Sequence, residues 1–334
     1  MDDEMRDILL SEVSGMNRPI QHRPAVATAW PQTMRVTAPD DEDFSFTPQM
    51  VKAGLDRAVI GQEAAKRAAS MILYSTSEYG VSNSLFIGQT GCGKTEIWRQ
   101  LAGEYPGMIQ IADASQITAE GWRGGVKLST LLKNFRTEPR YIRYILVLDE
   151  FDKIFDQKNS DTNYFDLIQD QMLKLFDHDP GLVEEGVGPQ EVSVVCLGAF
   201  ASIYAQKGRK KHSLGFNSEA EEETPHHITA EDLKAFGLKP ELIGRFSRIV
   251  EMEPPSLETY RRIADMKVSK LKQRIGKQVT VAPALLDKLT VESLDAGLGA
   301  RYVKNELLRM AEDYIFDHPH DREIALTERS PAMC

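Results

Sequence analysis

Several features that define other protein classes are scarce or missing in this sequence. It contains three cysteines, Cys92, Cys196 and Cys334, and their spacing matches neither a C-x-x-C pair nor a Cys/His metal motif. Three cysteines cannot all pair within one chain, so we predict a reducing cytoplasm rather than a disulfide-stabilised secreted protein. No apolar run reaches the roughly 18–20 residues that cross a bilayer, and we expect no membrane-spanning segment.

Positive charge is also in deficit. There are 40 Lys and Arg residues against 50 Asp and Glu residues, which gives a formal net charge of −10 at pH 7. This charge balance argues against non-specific binding of nucleic acid by the chain as a whole. The first ten residues, MDDEMRDILL, are acidic and match neither a secretory signal nor a transit peptide. With 334 residues, of which 42% are hydrophobic, the chain is long enough for two globular domains or one large one.

Residues 1–46 differ in composition from the rest of the chain. They contain four prolines and an acidic run at 40–43. This composition predicts a tail or linker, with a short helix near 5–13. A partner-binding tail and a solvated linker both remain open.

From residue 47 onward, apolar strands alternate with helical patterns. The near-continuous apolar run at 145–148 is typical of a parallel strand that is covered on both faces. The alternation predicts an α/β domain over residues 47–254 with right-handed crossovers. The predicted strands are 84–87, 108–112, 144–148, 192–197 and 246–251.

The pattern becomes mostly helical after Pro254 and Pro255. We therefore predict a smaller helical domain over residues 255–334. Two short β-branched segments, 279–281 and 324–326, predict a small strand pair within it.

A Gly-rich motif, GQTGCGKT, follows the first predicted strand. A loop of this kind turns its backbone N–H groups toward a phosphate. Lys94 can then reach the β- and γ-phosphates of ATP, and the Thr95 hydroxyl can bind Mg²⁺. A chance match in a Gly-rich turn is the alternative, which the preceding strand and the following helical pattern disfavour. The predicted nucleotide-binding residues of this segment are Gly88, Gln89, Thr90, Gly91, Cys92, Gly93, Lys94, Thr95 and Glu96.

Two acidic residues, Asp149 and Glu150, end the apolar strand at 144–148. The carboxyl ends of parallel strands meet at one sheet edge, where Asp149 could hold Mg²⁺ through water. Glu150 could then orient or deprotonate the attacking water. An acidic strand end that simply meets solvent is the alternative, which the spacing of about 55 residues from the phosphate loop disfavours.

The segment LDEFDKI at 148–154, with the phosphate loop upstream, resembles the AAA+ ATPases of the Clp/HslU group. The closest likeness is to the ClpX-like protein unfoldases, and it extends over residues 47–326. The resemblance implies a P-loop domain with a parallel five-stranded sheet, followed by a smaller helical lid domain. Further matching segments, in order, are AVIGQ at 58–62, LGAFA at 197–201, LKPELIGR at 238–245 and GAR at 299–301.

Four further site residues follow from this resemblance. Val59 and Ile60 would contact the adenine. Arg245 would act as an arginine finger on the nucleotide of the neighbouring subunit, and Arg301 would sense nucleotide in its own subunit. A surface ion pair is the alternative for each arginine. No Asn or Thr ends the strand at 192–197, a feature that ClpX-like proteins share.

The resemblance also implies a ring, expected to be a homo-hexamer, with a loop that lines its central channel. The matching loop residues are Gly121, Trp122, Arg123 and Gly124. The family usually has Tyr and then an aliphatic residue, so the Trp-Arg pair is a departure. A surface turn with Trp122 packed on its own domain is the alternative.

The link to a peptidase stays open at this stage. Leu214, Gly215 and Phe216 occupy the position of the ClpX tripeptide that docks on the ClpP peptidase, but the surrounding loop is shorter. Docking and an ordinary packed loop are both open. The stretch at 177–186 is acidic where ClpX is basic, and the zinc-binding domain of ClpX has no counterpart here. Recognition of the usual degradation tags is therefore not expected to carry over.

The leading hypothesis is an ATP- and Mg²⁺-dependent protein unfoldase that moves protein substrates through a ring. The alternative is a dedicated assembly factor or nucleotide switch that acts on one specific complex without a protease. A nucleic-acid motor or clamp loader is a poor third hypothesis because of the net negative charge.

Overall fold

The computed structural model of this chain describes residues 46–119, 123–137, 141–155, 162–183, 186–210, 227–296 and 299–327. The predicted helix near 5–13 and the candidate docking residues 214–216 lie outside these ranges. None of the helices in the described part of the chain is long and apolar enough to cross a bilayer.

Strands and helices alternate along the first two thirds of the described chain. The strands are β1 (Asn83–Ile87), β2 (Ile109–Asp113), β3 (Tyr144–Asp149), β4 (Val192–Gly198), β5 (Arg248–Glu251), β6 (Gln278–Val281) and β7 (Glu323–Leu326). The helices are α1 (Pro48–Ala58), α2 (Glu63–Glu78), α3 (Lys94–Glu104), α4 (Leu128–Lys133), α5 (Thr162–Phe176), α6 (Ala201–Lys210), α7 (Ala230–Phe236), α8 (Pro240–Ile243), α9 (Leu257–Ile275), α10 (Pro283–Asp295) and α11 (Ala300–Asp317).

Five of the strands form one parallel sheet in the order β2-β3-β4-β1-β5. Cys196 of β4 lies opposite Leu85 of β1 on one side and opposite Leu148 of β3 on the other. Because all five strands are parallel, their carboxyl ends share one edge of the sheet. This confirms the predicted α/β fold, and it places β4 between the two strands that carry the predicted site residues.

The central strands are buried on both faces. In β3, Leu146 and Leu148 pack into one apolar cluster, while Ile145 and Val147 pack into the cluster on the opposite face. Side chains alternate between faces along a strand, so an apolar residue at every position means that both faces are covered. The apolar run that predicted a buried parallel strand is explained by this arrangement.

The helices α9, α10 and α11 enclose a separate apolar cluster with the two-stranded sheet of β6 and β7. Leu271, Leu285 and Leu307 are buried within it. The two strands pair in parallel, with Val279 opposite Ile324, which confirms the predicted strand pair. The smaller, mostly helical part of the fold is therefore built on a core of its own.

The helix α7 begins with a capping box, whose residues Thr229 and Asp232 have the sequence spacing typical of one. The Thr229 hydroxyl accepts a hydrogen bond from the Asp232 N–H at 3.2 Å, and the Asp232 carboxylate accepts one from the Thr229 N–H at 2.7 Å. Reciprocal bonding of this kind satisfies N–H groups that a helix start leaves without partners.

One predicted boundary is wrong. The strand expected at 246–251 begins at Arg248, because the preceding residues still complete the turn of α8. The N–H groups of Arg245 and Phe246 donate to the carbonyls of Leu242 and Ile243. Phe246 consequently turns toward the core instead of joining the sheet.

Candidate nucleotide-binding site

The predicted phosphate loop connects β1 to α3 at the carboxyl edge of the sheet. Gly91 and Gly93 have φ values of +85° and +102°, which strongly favour glycine. Lys94 is 9% exposed, and its ammonium donates hydrogen bonds to the carbonyls of Gly88 and Gln89. The loop backbone therefore surrounds the Lys94 ammonium, which is the group that the motif predicts to bind phosphate.

The structure brings Thr95 and Asp149 together although β4 separates their strands. The Thr95 hydroxyl donates to Asp149 Oδ2 at 2.7 Å. A hydroxyl and a carboxylate in contact are the two protein groups that P-loop enzymes use around Mg²⁺. The chemistry of this pair fits such an ion, with Thr95 as a ligand and Asp149 as the group that holds the ion through water.

Glu150 follows in an unusual backbone conformation. Its φ of +56° lies in the left-handed region, and its N–H donates to Asp149 Oδ1 at 3.0 Å. Glu150 is exposed at the sheet edge. A left-handed non-glycine residue costs on the order of 1 kcal/mol and persists where its surroundings fix it. The position suits a base that faces a bound nucleotide.

Asp152 is a residue of this site that the sequence prediction missed. It is only 5% exposed, and its Oδ2 accepts a hydrogen bond from the Phe200 N–H at 3.1 Å. Phe200 follows β4 and has a φ of +49°. Asp152 thus ties the segment after β3 to the segment after β4, which is part of the matching segment LGAFA at 197–201. The third acidic residue of the LDEFDKI segment was the available signal.

Left-handed residues mark this region more generally. The non-glycine residues with positive φ in the described chain are Gln62, Glu150, His178 and Phe200. Each is at or next to a segment that the sequence analysis singled out. Strained backbone of this kind concentrates at functional sites, and two of the four, Glu150 and Phe200, flank the candidate site at the ends of β3 and β4.

A buried lysine supports the segment that was predicted to contact adenine. Lys66 is 2% exposed, and its ammonium lies 2.6 Å from both Asp56 Oδ1 and Glu63 Oε1. The same ammonium donates to the Val59 carbonyl at 3.3 Å. Because Val59 precedes Ile60 in the predicted adenine contact, the charged cluster fixes the backbone at that point. The sequence analysis did not identify Lys66.

The segment after Ile60 contacts the connection that leads to α9. Gln62 Nε2 donates to the Glu253 carbonyl at 2.7 Å. A methyl group added at Gly61 would lie 3.5 Å from Cγ2 of Thr259 in α9. The part of the site that is predicted to bind adenine is therefore linked to the smaller, helical part of the fold.

The first turn of α3 is linked electrostatically to the same helix α9. Burial opposes ionisation of Glu96, yet the hydrogen bond from Gln100 and the charge of Lys267 hold its pKa below the usual value. Burial lowers the pKa of Lys267, and the Glu96 carboxylate acts in the opposite direction. Glu96, predicted as a nucleotide-site residue, thus also faces α9.

The phosphate loop touches the start of α11 through two glycines. A methyl group added at Gly91 would lie 2.6 Å from the Cα of Gly299, so neither position has room for a side chain. Ser293 donates to the Gly299 carbonyl at 2.8 Å. Arg301 lies in the first turn of α11 and is exposed, and its guanidinium forms no hydrogen bond or ion pair within the described ranges.

Arg245 lies elsewhere. It forms a two-point ion pair with Asp177, in which Nε donates to Oδ1 and Nη2 donates to Oδ2 at 3.1 Å. The pKa of the Asp177 carboxyl lies below its usual value because of these hydrogen bonds. Asn83, the first residue of β1, donates to the Arg245 carbonyl at 3.4 Å. Arg245 is therefore anchored at the opposite end of β1 from the phosphate loop, and the surface ion pair considered as its alternative is present.

The candidate channel loop is described only in part. Gly121 and Trp122 lie outside the described residues, while Arg123 and Gly124 are exposed. The Thr118 N–H donates to the Val126 carbonyl at 3.0 Å, which closes the base of the loop.

Comparison with known proteins gives two kinds of match. A family model described as AAA domain (Cdc48 subfamily) matches residues 80–249, just over half of the chain. Similar curated proteins include the ATP-dependent Clp protease ATP-binding subunit ClpX of Borrelia duttonii (strain Ly), 27% identical over 325 residues, covering 83% of this chain and 76% of the relative. The ClpX of Bacteroides fragilis (strain YCH46) is 26% identical, with 82% and 77% covered. ClpX 2 of Wolinella succinogenes is 27% identical, with 83% and 79% covered.

Proposed function

Because the chain belongs to the AAA domain (Cdc48 subfamily) family and is an ATPase of the ClpX type, we propose that it works as a ring-shaped protein unfoldase. Each active site is proposed to use Lys94, Thr95, Asp149 and Glu150 from one subunit. Arg245 would come from the neighbouring subunit. ATP hydrolysis would drive a polypeptide through the central channel of the ring.

The position of Arg245 is the observation that carries this proposal. Its backbone is held by Asn83 at the amino end of β1, while the phosphate loop follows the carboxyl end of the same strand. At about 3.3 Å per residue, the five residues of β1 separate the two ends by about 16 Å. An arginine in that position, suited to transition-state phosphate charge, supports a site that is completed by a second copy of the chain.

We assign the roles of the site residues accordingly. Lys94 would neutralise the β- and γ-phosphates, and Glu150 would orient the attacking water. Bound Mg²⁺ would supply charge neutralisation of the phosphate oxygens. Arg301 would link the orientation of the helical domain to the nucleotide, and Val59 and Ile60 would contact the adenine.

The domain division is proposed on the same basis. Residues 47–254 would form the large ATPase domain and residues 255–334 the small lid domain, with residues 1–46 as a tail or linker. The separate apolar cluster around α9 to α11 supports this division. A reducing, cytoplasmic location also stays a prediction, with Cys92 and Cys196 buried as free thiols.

The test combines ATP hydrolysis with unfolding of a tagged fluorescent protein. We expect Glu150→Gln to bind ATP but to lose about 10²–10⁴-fold in turnover, because it removes the group that activates water. We expect Trp122→Ala to keep ATP turnover and to lose unfolding. Wild-type unfolding by Trp122→Ala would rule out the threading model.

Magnesium dependence is tested at Thr95. Thr95→Ala should raise the Mg²⁺ concentration needed for half-maximal turnover by about tenfold, since one oxygen ligand is lost. Thr95→Ser keeps the hydroxyl and serves as the control. An unchanged Mg²⁺ requirement in Thr95→Ala would argue against Thr95 as a ligand.

Delivery of the unfolded chain to a ClpP-like peptidase is a separate proposal. It is supported by the names of the relatives, which describe ATP-binding subunits of a Clp protease, and by the segment Leu214, Gly215 and Phe216. Degradation of the fluorescent protein by a purified ClpP-like peptidase should require ATP and should be lost in Phe216→Ala. Unfolding without degradation would remove the peptidase from the function.

A second candidate is an assembly factor that acts on one specific complex. The Trp122-Arg123 pair in the channel-loop position, where the family has Tyr and an aliphatic residue, favours a narrow substrate choice. ATP turnover without unfolding of generic proteins, together with remodelling of one partner, would support this candidate over the first.

A further inference from the structure

The ion pair between Asp177 and Arg245 has a geometry that assigns a role to Asp177. We propose that Asp177 is a positioning residue, which orients the guanidinium that one subunit presents to the nucleotide of the next subunit. The inference rests on the proposed function of Arg245. It concerns a residue at the end of α5 that the sequence analysis grouped with an acidic stretch and gave no catalytic role.

Asp177 binds one edge of the Arg245 guanidinium and leaves most of the remaining N–H donors outside the ion pair. A guanidinium has five N–H donors in a fixed plane. Two of them, on Nε and Nη2, bind the Asp177 carboxylate from the side. Nη1 has one contact, to the Glu241 carbonyl at 3.5 Å. The outer N–H groups of Nη1 and Nη2 thus point away from Asp177. The carboxylate fixes the plane of the fork without using the donors that a phosphate oxygen would need.

The backbones that carry the two partners are clamped together. The Asn83 side-chain amide donates to the carbonyl of Phe176 at 2.9 Å and to that of Arg245 at 3.4 Å. Asn83 is itself 5% exposed. Phe176 directly precedes Asp177, so one buried amide sets the spacing between the carboxylate and the arginine.

An aromatic cluster reinforces the same arrangement. Phe246, next to Arg245, packs against Phe176 with ring centroids 5.2 Å apart. Phe246 also packs edge-on against Phe151 at 6.3 Å. Residues on both sides of the ion pair are therefore fixed by the core, and the remaining freedom lies in the long arginine side chain. Asp177 removes that freedom.

The solvent exposure of the Asp177–Arg245 ion pair allows an effect on the orientation of Arg245 to be measured separately from an effect on folding stability. The side chains of Arg245 and Asp177 are 42% and 45% exposed. Ion pairs with this exposure contribute little to folding. Removal of the Asp177 charge should therefore leave the fold and the ring intact. A change in ATP turnover can then be attributed to the orientation of Arg245.

The first test compares three variants of the full-length protein by steady-state ATP turnover. We expect Asp177→Asn to lower kcat by about tenfold, with less than a twofold change in KM for ATP. Asp177→Glu retains a carboxylate and should recover most of the turnover. Asp179→Asn is the matched control, since Asp179 is a half-buried carboxylate close to Asp177 that accepts from the Gly181 N–H at 2.9 Å, and it should behave as wild type. An unchanged or increased kcat in Asp177→Asn would overturn the proposal.

The second test asks whether Asp177 acts through Arg245. The double variant Asp177→Asn with Arg245→Ala should turn over ATP at the rate of Arg245→Ala alone. A further loss in the double variant would mean that Asp177 acts on something else. Wild-type turnover by Arg245→Ala would contradict the proposed function itself, whereas normal turnover by Asp177→Asn alone would contradict only this inference.

The third test uses mixed assemblies to locate the defect. Glu150→Gln subunits keep Asp177 and Arg245 but should not hydrolyse ATP. Added in excess, they should restore turnover in Asp177→Asn subunits toward that of wild-type subunits in the same mixture, because each active site then receives a correctly oriented arginine. A tenfold difference that persists at every mixing ratio would place the effect within one subunit and would overturn the proposal.

Discussion

The two ends of β1 differ in how complete they are within one chain. At the carboxyl end, Lys94 is buried against loop carbonyls and Thr95 donates to Asp149. At the amino end, Arg245 is held by Asp177 on the surface, with part of its fork facing outward. The first arrangement is closed by residues of one chain, whereas the second leaves a charge exposed, which we propose is presented to a neighbouring copy.

The contrast follows from what each group has to do. A cation that binds phosphate from its own loop gains from burial, because electrostatic interactions strengthen when water is excluded. An arginine that serves another subunit has to stay accessible until that subunit arrives. The solvent-exposed carboxylate of Asp177 fits this requirement, because it can orient the guanidinium without burying it.

The largest effect should come from the amino end. Arg245→Ala should lower kcat for ATP by about 10³-fold or more, the range known for arginine fingers, with little change in nucleotide affinity. Lys94→Ala should instead weaken nucleotide binding, which a fluorescent ATP analogue would measure. If Arg245→Ala weakened binding as strongly as Lys94→Ala does, the contrast between the two ends would be lost.

The next largest effect is expected on the carboxyl side of β1, for the buried lysine Lys66 that supports the predicted adenine-binding segment. Lys66→Met should lower the free energy of unfolding by about 3 kcal/mol, because it removes one partner of a buried charge cluster. Lys52→Met is the control, since Lys52 contacts the same two carboxylates but is 30% exposed. Urea unfolding should show that Lys52→Met lowers the free energy of unfolding by less than about 1 kcal/mol. Equal losses would show that burial of Lys66 is not what matters.

A smaller effect is expected for the link between the ends of β3 and β4. Asp152→Ala would leave the buried Phe200 N–H without its acceptor, which should cost about 2 kcal/mol in unfolding free energy. Asp152→Asn keeps an acceptor oxygen and should lose less. ATP turnover should fall in both variants, because the segment after β4 is no longer fixed. Full turnover in Asp152→Ala would separate this link from the site.

The smallest effect concerns pH. Hydrogen bonds from Lys52 and then Lys66 hold the pKa of Glu63 below its usual value. A carboxyl with a lowered pKa in the folded state adds stability above its unfolded pKa, about 4.3, and loses it as the pH falls through the folded value. The difference in unfolding free energy between wild type and Lys52→Met, less than about 1 kcal/mol, should be constant from pH 5.5 to 7.5 and should shrink below about pH 4. A difference that persisted in acid would exclude Glu63 as its source.

The parts of the fold that depend on local pattern were predictable from sequence. Apolar runs located five parallel strands to within a few residues, and the Thr229 cap depends on a residue three positions away. The contact between Thr95 and Asp149 was foreseen only as proximity at a shared sheet edge. Strand order sets that proximity, and the insertion of β4 between their strands leaves no trace in either motif.

The contacts that sequence could not predict join residues far apart in the chain. Arg245 and Asp177 are 68 positions apart, and Phe200 and Asp152 are 48 positions apart. Asp177 looks like an ordinary surface residue in the sequence, and Asp152 belongs to a recognisable segment that does not name its partner, because both partners are set by the packing of helices and strands. The resemblance identified Arg245 but contained no information on what would hold it.

The aromatic cluster has a consequence for how subunits communicate. Phe151 follows Glu150, and Phe246 follows Arg245, so the carboxylate proposed to orient water and the proposed arginine finger are joined by two rings with centroids 6.3 Å apart. If these roles hold, a displacement at one residue would reach the other through the packed rings. In a closed ring each subunit would pass its state to one neighbour and receive from the other. The order in which the subunits hydrolyse ATP would therefore run in one direction around the ring. That direction would be set by the arrangement of Glu150 and Arg245 within each subunit.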